Sequence, residues 1–145
     1  RMTTSSPVFD QVNLIVRDLD RALEFYRRLG LPVPTNSGDW PPGTGARHAD
    51  LSLAGGLRLE LDNAAMARIW HPGAAPAGLV LGFALATRTA VDERFQTLVA
   101  AGYLGREAPN DAFWGSRHAI VQDPDGNDVG LMSPPEPERR FTPGR

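Results

Sequence analysis

An internal repeat constrains the fold of this chain more than any other sequence feature. The tripeptide Arg47-His48-Ala49 recurs seventy positions later as Arg117-His118-Ala119. The same offset relates further glycines and apolar residues, namely Gly56 with Gly126, Leu59 with Val129 and Leu61 with Leu131. The second copy contains the sequence WGSRHAIVQDPDGNDVGL, in which two short alternating segments flank an Asp-Pro-Asp-Gly-Asn turn. That pattern predicts a β-hairpin, so the chain is expected to contain two related hairpins.

Each hairpin is preceded by a strand and a helix. A short β-run at 11–16 leads into Asp18–Gly30, where apolar residues follow helical spacing. Asp18 suits the N-cap of this helix and Gly30 suits its C-terminal stop. The second half repeats the order, with a strand over Leu79–Leu85 and a helix over Thr89–Gly102. The sequence therefore predicts an α+β fold of two β-α-β-β-β modules.

Three sequence segments carry a resemblance to a known family. They are the phrase Val-x-Leu-x-Val-x-Asp-Leu-x-x-Ala-x-x-Phe-Tyr at 12–26, the segment DAFWGSR at 111–117 and the turn DPDGN at 123–127. Together they resemble the vicinal oxygen chelate superfamily, and its glyoxalase/bleomycin-resistance branch in particular. The resemblance implies one domain at 8–133 in which two βαβββ modules form a cupped mixed sheet. Module one is then 8–63, the linker 64–78 and module two 79–133, and we expect a flexible Pro-rich tail at 134–145.

Composition removes several classes of function. With no Cys and no Lys, the chain has no thiolate nucleophile, no Schiff-base lysine and no P-loop lysine. A net charge of -2 without basic clusters gives no footprint for nucleic acid, and no apolar run is long enough for a bilayer. The polar residues 1–7 show no signal peptide, which predicts a cytoplasmic protein. Among the remaining acid–base groups, His48 and His118 are the candidate catalytic residues.

The resemblance also implies four metal-ligand positions, which in this sequence are Gln11, Glu60, Val80 and Gly130. Only Gln11 and Glu60 carry a donor atom, so half of the chelate is missing. Gln11 either binds a metal or lines a pocket, and Glu60 either binds a metal or pairs with Arg58. The imidazole of His48 is a ligand, a base or a structural hydrogen-bonding group. His48, Asp50 or His118 would have to complete a rearranged metal site.

Strand alternation assigns a second set of polar side chains to the face of the sheet away from the helices. The candidate ligand-binding residues, on that face or in loops at its rim, are Gln11, Asn13, Trp40, Arg58, Trp70, Trp114 and His118. Trp40 is either a plug over the core or a lid, and Trp70 is either a packing residue or a wall of the site. Three rim tryptophans favour a planar ligand.

Two functions follow from these residues and the resemblance. The first is a metal-independent small-molecule binding protein of the bleomycin-resistance type, which holds a planar or aromatic ligand such as an antibiotic and needs no cofactor. The alternative is a lyase, isomerase or ring-cleaving dioxygenase that uses Fe, Mn, Zn or Ni, with Gln11 and Glu60 as ligands and His48 or His118 as base. An interaction or regulatory module that has lost its ligand is the third possibility. The resemblance further implies a homodimer, either with or without exchange of modules between the chains.

Overall fold

The computed structural model describes residues 6–35 and 38–144. Residues 1–5, which bear on the signal-peptide expectation, and residue 145 of the tail lie outside the described residues. The elements are β1 (Val8–Ile15), α1 (Leu19–Leu29), β2 (His48–Ser52), β3 (Arg58–Asp62), α2 (Ala64–Trp70), β4 (Gly78–Ala84), α3 (Arg88–Ala100), β5 (Gly105–Asp111), β6 (Arg117–Gln122) and β7 (Asp128–Met132). A short 3-10 helix, Pro137–Arg139, follows in the tail.

The chain divides into two compact units. One is Gln11–Leu79, and the other comprises the residues before Gln11 together with those from Val80 onward. In the first unit β3 pairs parallel with β1 and antiparallel with β2. In the second, β7 pairs parallel with β4 and antiparallel with β6, which pairs antiparallel with β5. This mixed pairing, with a helix after the first strand of each module, confirms the predicted α+β fold class.

The helix and turn signals in the sequence act where they were expected. The Asp18 side chain accepts a hydrogen bond from the backbone N–H of Arg21 and caps α1. Gly30 ends the helix at φ 105°, a conformation that favours glycine. In the β6–β7 turn, Asp123 accepts hydrogen bonds from the backbone N–H groups of Asp125 and Asn127.

Module one differs from the expected pattern in one strand. The sequence analysis expects four strands in each module, but no strand lies between α1 and β2 in the described residues. Pro32 and Pro34 each lack the backbone N–H that a paired strand needs, which explains the difference. In module two the corresponding strand, β5, is present, and its pairing with β6 is interrupted by two register shifts.

Each unit has its own apolar core beneath its helix. The first core consists of Leu19, Leu23, Ala49, Leu51 and Leu61, and the second consists of Leu85, Val91, Ala119 and Leu131. Because side chains alternate along a strand, the residues between these core positions lie on the opposite face. That opposite face carries the candidate site residues.

The linker and the tail both contain ordered contacts. Asn63 caps α2 by accepting a hydrogen bond from the backbone N–H of Met66, so the linker includes a seven-residue helix. In the tail, the backbone N–H groups of Glu136 and Phe141 donate to the carbonyls of Gly115 and Phe113. The flexibility of the tail stays a prediction. No helix in the described part of the chain is long and apolar enough to cross a membrane.

Candidate functional site

Strand register in module one places seven polar side chains on one face of three adjacent strands. Gln11 lies opposite Arg58, and Asn13 lies opposite Glu60 in the β1–β3 pair. Asp50 lies opposite Glu60, and His48 lies opposite Asp62 in the β2–β3 pair. We call this set the polar face of module one; it comprises Gln11, Asn13, His48, Asp50, Arg58, Glu60 and Asp62.

His48 is held between two carboxylates of this face. Its Nδ1 lies 2.5 Å from Oδ1 of Asp62, and its Nε2 lies 3.0 Å from Oδ1 of Asp50. The other oxygen of Asp62 accepts a hydrogen bond of 2.9 Å from Nε1 of Trp70. Burial lowers the pKa of His48, but the hydrogen bonds with Asp50 and Asp62 outweigh it and raise the pKa to about 10. The imidazole is therefore held as a cation near neutral pH.

Glu60 is buried beside the same histidine. One carboxylate oxygen, Oε1, lies 3.7 Å from Nε2 of His48. Burial raises the pKa of Glu60 to about 7, and the negative charge of Asp50 adds to this effect. In contrast, the hydrogen bond with His48 lowers the pKa of Asp50. The two carboxyl groups thus differ in their tendency to hold a proton.

Arg58 connects the first-strand amides with Glu60. Its Nη2 donates to Oε1 of Gln11 over 2.6 Å, and its Nη1 lies 3.1 Å from Oε2 of Glu60. The amide of Gln11 in turn donates to Oδ1 of Asn13 over 2.6 Å. The guanidinium therefore engages both residues at the module-one ligand positions that the sequence resemblance implies. We call this arrangement the Arg58 fork.

The four implied ligand positions do not fit a divalent metal. In module one, the guanidinium of Arg58 neutralises the oxygen of Glu60 that faces it and occupies the amide oxygen of Gln11. In module two, Val80 is buried and apolar, while Gly130 has no side chain. A methyl group built at Gly130 would contact Val80 and His118 at ordinary distances, so the position is closely surrounded. Two donors, both already held by a cation, are fewer than the three protein ligands of a catalytic zinc site.

Module two presents an aromatic surface on the corresponding face of its own strands. His118 lies opposite Met132 in the β6–β7 pair, and both face away from the Ala119–Leu131 core. The Trp114 ring meets the His118 ring edge-on at 5.5 Å between centroids. Its Nε1 donates to the sulfur of Met132 over 3.1 Å. This surface offers an indole, an imidazole and a thioether, which suit a flat apolar ligand.

Most of these residues are predicted from the sequence, and the structure places them in two groups, one in each module. Gln11, Asn13, Arg58, Glu60 and His48 lie on the polar face of module one, while Trp114 and His118 lie together in module two. Trp70 contacts the polar face through Asp62. Trp40 is a half-exposed loop residue whose backbone N–H donates to the carbonyl of Ala46. The ligand and metal roles of all these residues stay predictions.

Asp62 is the residue that the sequence analysis does not select. It is 1% exposed and is the partner that orients His48. Continuing the alternation of Arg58 and Glu60 by two residues would have placed it on the same face. Asp50, which the sequence predicts as a ligand of a rearranged metal site, contacts the other nitrogen of His48.

Comparison with known proteins identifies the family of this chain. The sequence model of the Glyoxalase/Bleomycin resistance protein/Dioxygenase superfamily matches residues 8–131. The chain belongs to this superfamily. The internal sequence repeat corresponds to the two βαβββ modules of the superfamily's fold. No curated protein sequence matches this chain significantly.

Solved structures share the superfamily fold at low sequence identity. A hypothetical protein from Bacillus halodurans is 20% identical, with a TM-score of 0.65, covering 91% of this chain and 97% of that one. Methylmalonyl-CoA epimerase from Mycobacterium tuberculosis is 22% identical, with a TM-score of 0.59, covering 93% and 94%. A Legionella pneumophila protein described as an NAD-dependent benzaldehyde dehydrogenase is 20% identical, with a TM-score of 0.61, covering 85% and 96%. At these identities the comparison shows the fold alone.

Proposed function

We propose that this protein binds a planar or aromatic small molecule and does so without a metal at the four chelate positions of its superfamily. The observation that carries the proposal is the Arg58 fork. Its guanidinium contacts Gln11 and Glu60, the two residues at those positions whose side chains carry donor atoms.

The aromatic surface of module two supports the planar character of the ligand. Trp114 and His118 are partly or largely buried and are held edge-on to each other, so the indole has a defined orientation. A preoriented aromatic side chain loses little conformational freedom when a flat ligand stacks on it. An antibiotic is one ligand of this chemical type, and resistance by sequestration is one use of such binding.

A superfamily enzyme is the second candidate function. The observation in its favour is the His48–Asp62 pair, in which a buried carboxylate orients an imidazole. This arrangement suits proton transfer at Nε2, provided that Asp50 moves aside. A lyase, isomerase or ring-cleaving dioxygenase would use such a proton carrier.

Tryptophan fluorescence of metal-free protein tests the first proposal. After dialysis against a chelator, the protein is titrated with 1-naphthoate and with 8-anilinonaphthalene-1-sulfonate, which serve as planar anionic probes. We expect saturable quenching, and we expect Trp114→Ala to weaken binding by on the order of 1 kcal/mol, or roughly fivefold in Kd. The matched control is Tyr103→Ala, which removes an exposed aromatic residue of the same unit.

Two results would contradict this proposal. Equal affinities of wild-type protein and Trp114→Ala would remove Trp114 from the binding surface. Probe binding that appears only after a divalent metal is restored would overturn the metal-free mode. Native mass spectrometry of the freshly purified protein shows directly whether an organic molecule is carried along.

A further inference from the structure

We propose that His48, Asp50 and Glu60 form a divalent transition-metal site that shares only Glu60 with the chelate positions of the superfamily. It goes beyond the proposed function, because it concerns a cation rather than a planar ligand. One imidazole nitrogen and two carboxylate oxygens lie within 4.8 Å of one another in this group. All three residues belong to β2 and β3 and lie within one compact unit.

The distances between the donor atoms suit a single ion. Nε2 of His48 lies 3.0 Å from Oδ1 of Asp50 and 3.7 Å from Oε1 of Glu60. Donors bound at about 2.0–2.1 Å to one ion, at angles between 90° and 110°, are about 2.9–3.4 Å apart. The third distance, between the carboxylate oxygens of Asp50 and Glu60, is at most 4.8 Å, so the two carboxylates have to turn toward each other when the ion binds.

The surroundings of His48 are those of a metal-binding histidine. The nitrogen that faces away from the cluster, Nδ1, is hydrogen-bonded to buried Asp62, which is itself fixed by Trp70. Carboxylates in this role set the tautomer and the ring orientation of metal-bound histidines, and leave the opposite nitrogen available for the ion. Asp62 and Trp70 therefore preorganise Nε2 for coordination.

The Arg58 fork and the proposed site use different oxygens of Glu60. Arg58 lies next to Oε2, whereas the cluster is formed with Oε1. An ion at the cluster therefore leaves the contact between Arg58 and Gln11 in place. When the ion binds, the proton on Nε2 leaves to solvent and the nitrogen lone pair forms the new bond.

The donor chemistry defines the class of ion. Imidazole nitrogen with two carboxylates suits Zn, Fe(II), Mn, Co or Ni better than Mg or Ca, which prefer oxygen donors alone. Three protein ligands leave coordination positions for water or for a ligand oxygen. The site is half-open to solvent because the Asp50 side chain is 56% exposed.

Titration of chelator-treated protein with Zn²⁺ and Co²⁺ tests the proposal. Isothermal calorimetry gives the stoichiometry, and visible absorption of the cobalt protein reports nitrogen–oxygen coordination. We expect one ion per chain. Asp50→Asn, at an exposed position, should weaken binding about tenfold or more, with circular dichroism verifying the fold. Asp125→Asn, an exposed change in the β6–β7 turn, is the matched control and should bind like the wild type.

Two further variants separate this site from the superfamily chelate. His48→Gln removes the imidazole ligand and should abolish the cobalt absorption, with circular dichroism verifying the fold. Gln11→Leu removes a chelate position and should leave the stoichiometry at one. Binding that is lost in Gln11→Leu but kept in His48→Gln would overturn the proposal, and so would wild-type protein that takes up no ion. Because probe binding is measured without metal, failure here is distinguishable from failure of the proposed function.

Discussion

Arg58 determines what the module-one residues are able to do. A carboxylate and an amide on adjacent strands would ordinarily be good oxygen donors for a divalent ion. With a guanidinium between them, part of their donor capacity is satisfied by the protein itself. The same cation partly offsets the negative charge of Glu60, whose pKa is nevertheless raised by burial. One arginine thus converts a potential chelate into a hydrogen-bonded pair with a fixed positive charge.

His48 makes the stability of the protein depend on pH. Its pKa is raised from 6.5 to about 10 in the folded state, through Asp50 and Asp62 and against the effect of burial. A raised pKa contributes stability that is complete below pH 6.5 and is lost as the pH rises toward 10. We expect the free energy of unfolding to fall across this range, by about 1.4 kcal/mol for each unit of pKa difference.

Urea unfolding between pH 6 and pH 10 measures this dependence. The His48→Gln variant, which keeps a hydrogen-bonding side chain but cannot become charged in this range, should have a flatter profile. Glu60, with a pKa of about 7, is half titrated at pH 7 and contributes little to the slope above about pH 8. Parallel profiles for the two proteins would show that His48 is not held as a cation.

At the scale of elements, Asn63 connects three segments of module one. Its side-chain oxygen accepts from the backbone N–H groups of Met66 and Arg47, and its amide donates to the carbonyl of Gly45. It therefore caps α2 and also fixes the entry into β2. Since β2 carries His48 and Asp50, this residue supports the position of the candidate site.

Replacing Asn63 should destabilise the protein more than removing an ordinary helix cap. We expect Asn63→Ala to lower the free energy of unfolding by about 2 kcal/mol, because several backbone groups lose a partner. The matched variant is Thr87→Ala, which removes one cap hydrogen bond to Ala90 and should lower it by about 1 kcal/mol. Thermal and urea unfolding measure both, and equal effects would contradict the special role of Asn63.

The elements could be predicted from the sequence because local chemistry defines them. Asp18, Gly30 and Gly126 act at the helix ends and turn where their chemistry suggests. Alternation also identifies the strand residues that face away from the core. Contacts between side chains are harder to predict from the sequence, because they depend on the register between strands that are distant in sequence. The link between Arg58 and Gln11, and that between His48 and Asp62, became visible only with that register.

At the scale of the molecule, we expect two copies of this chain to associate. The start of β1 exposes apolar side chains, with Val8 60% and Phe9 44% exposed. We expect the second copy to cover these two side chains. Independently of these exposed side chains, the resemblance to the superfamily implies a homodimer.

Light scattering coupled to gel filtration measures the mass. We expect twice the 15.7 kDa of one chain for the wild type, and a shift toward the single-chain mass for Val8→Asp. Leu104→Asp introduces the same charge at an exposed leucine and is the control that should stay dimeric. A wild-type mass of one chain would refute the expectation.

The Arg58 fork also has an evolutionary consequence. A lineage that starts from this sequence acquires the superfamily chelate only by gaining donors at Val80 and Gly130 and by releasing Gln11 and Glu60 from Arg58. Any one of these changes alone leaves an incomplete metal centre, and loss of Arg58 alone removes one of the two cations beside buried Glu60. The fork therefore separates this chain from a four-ligand centre by several substitutions that have to occur together.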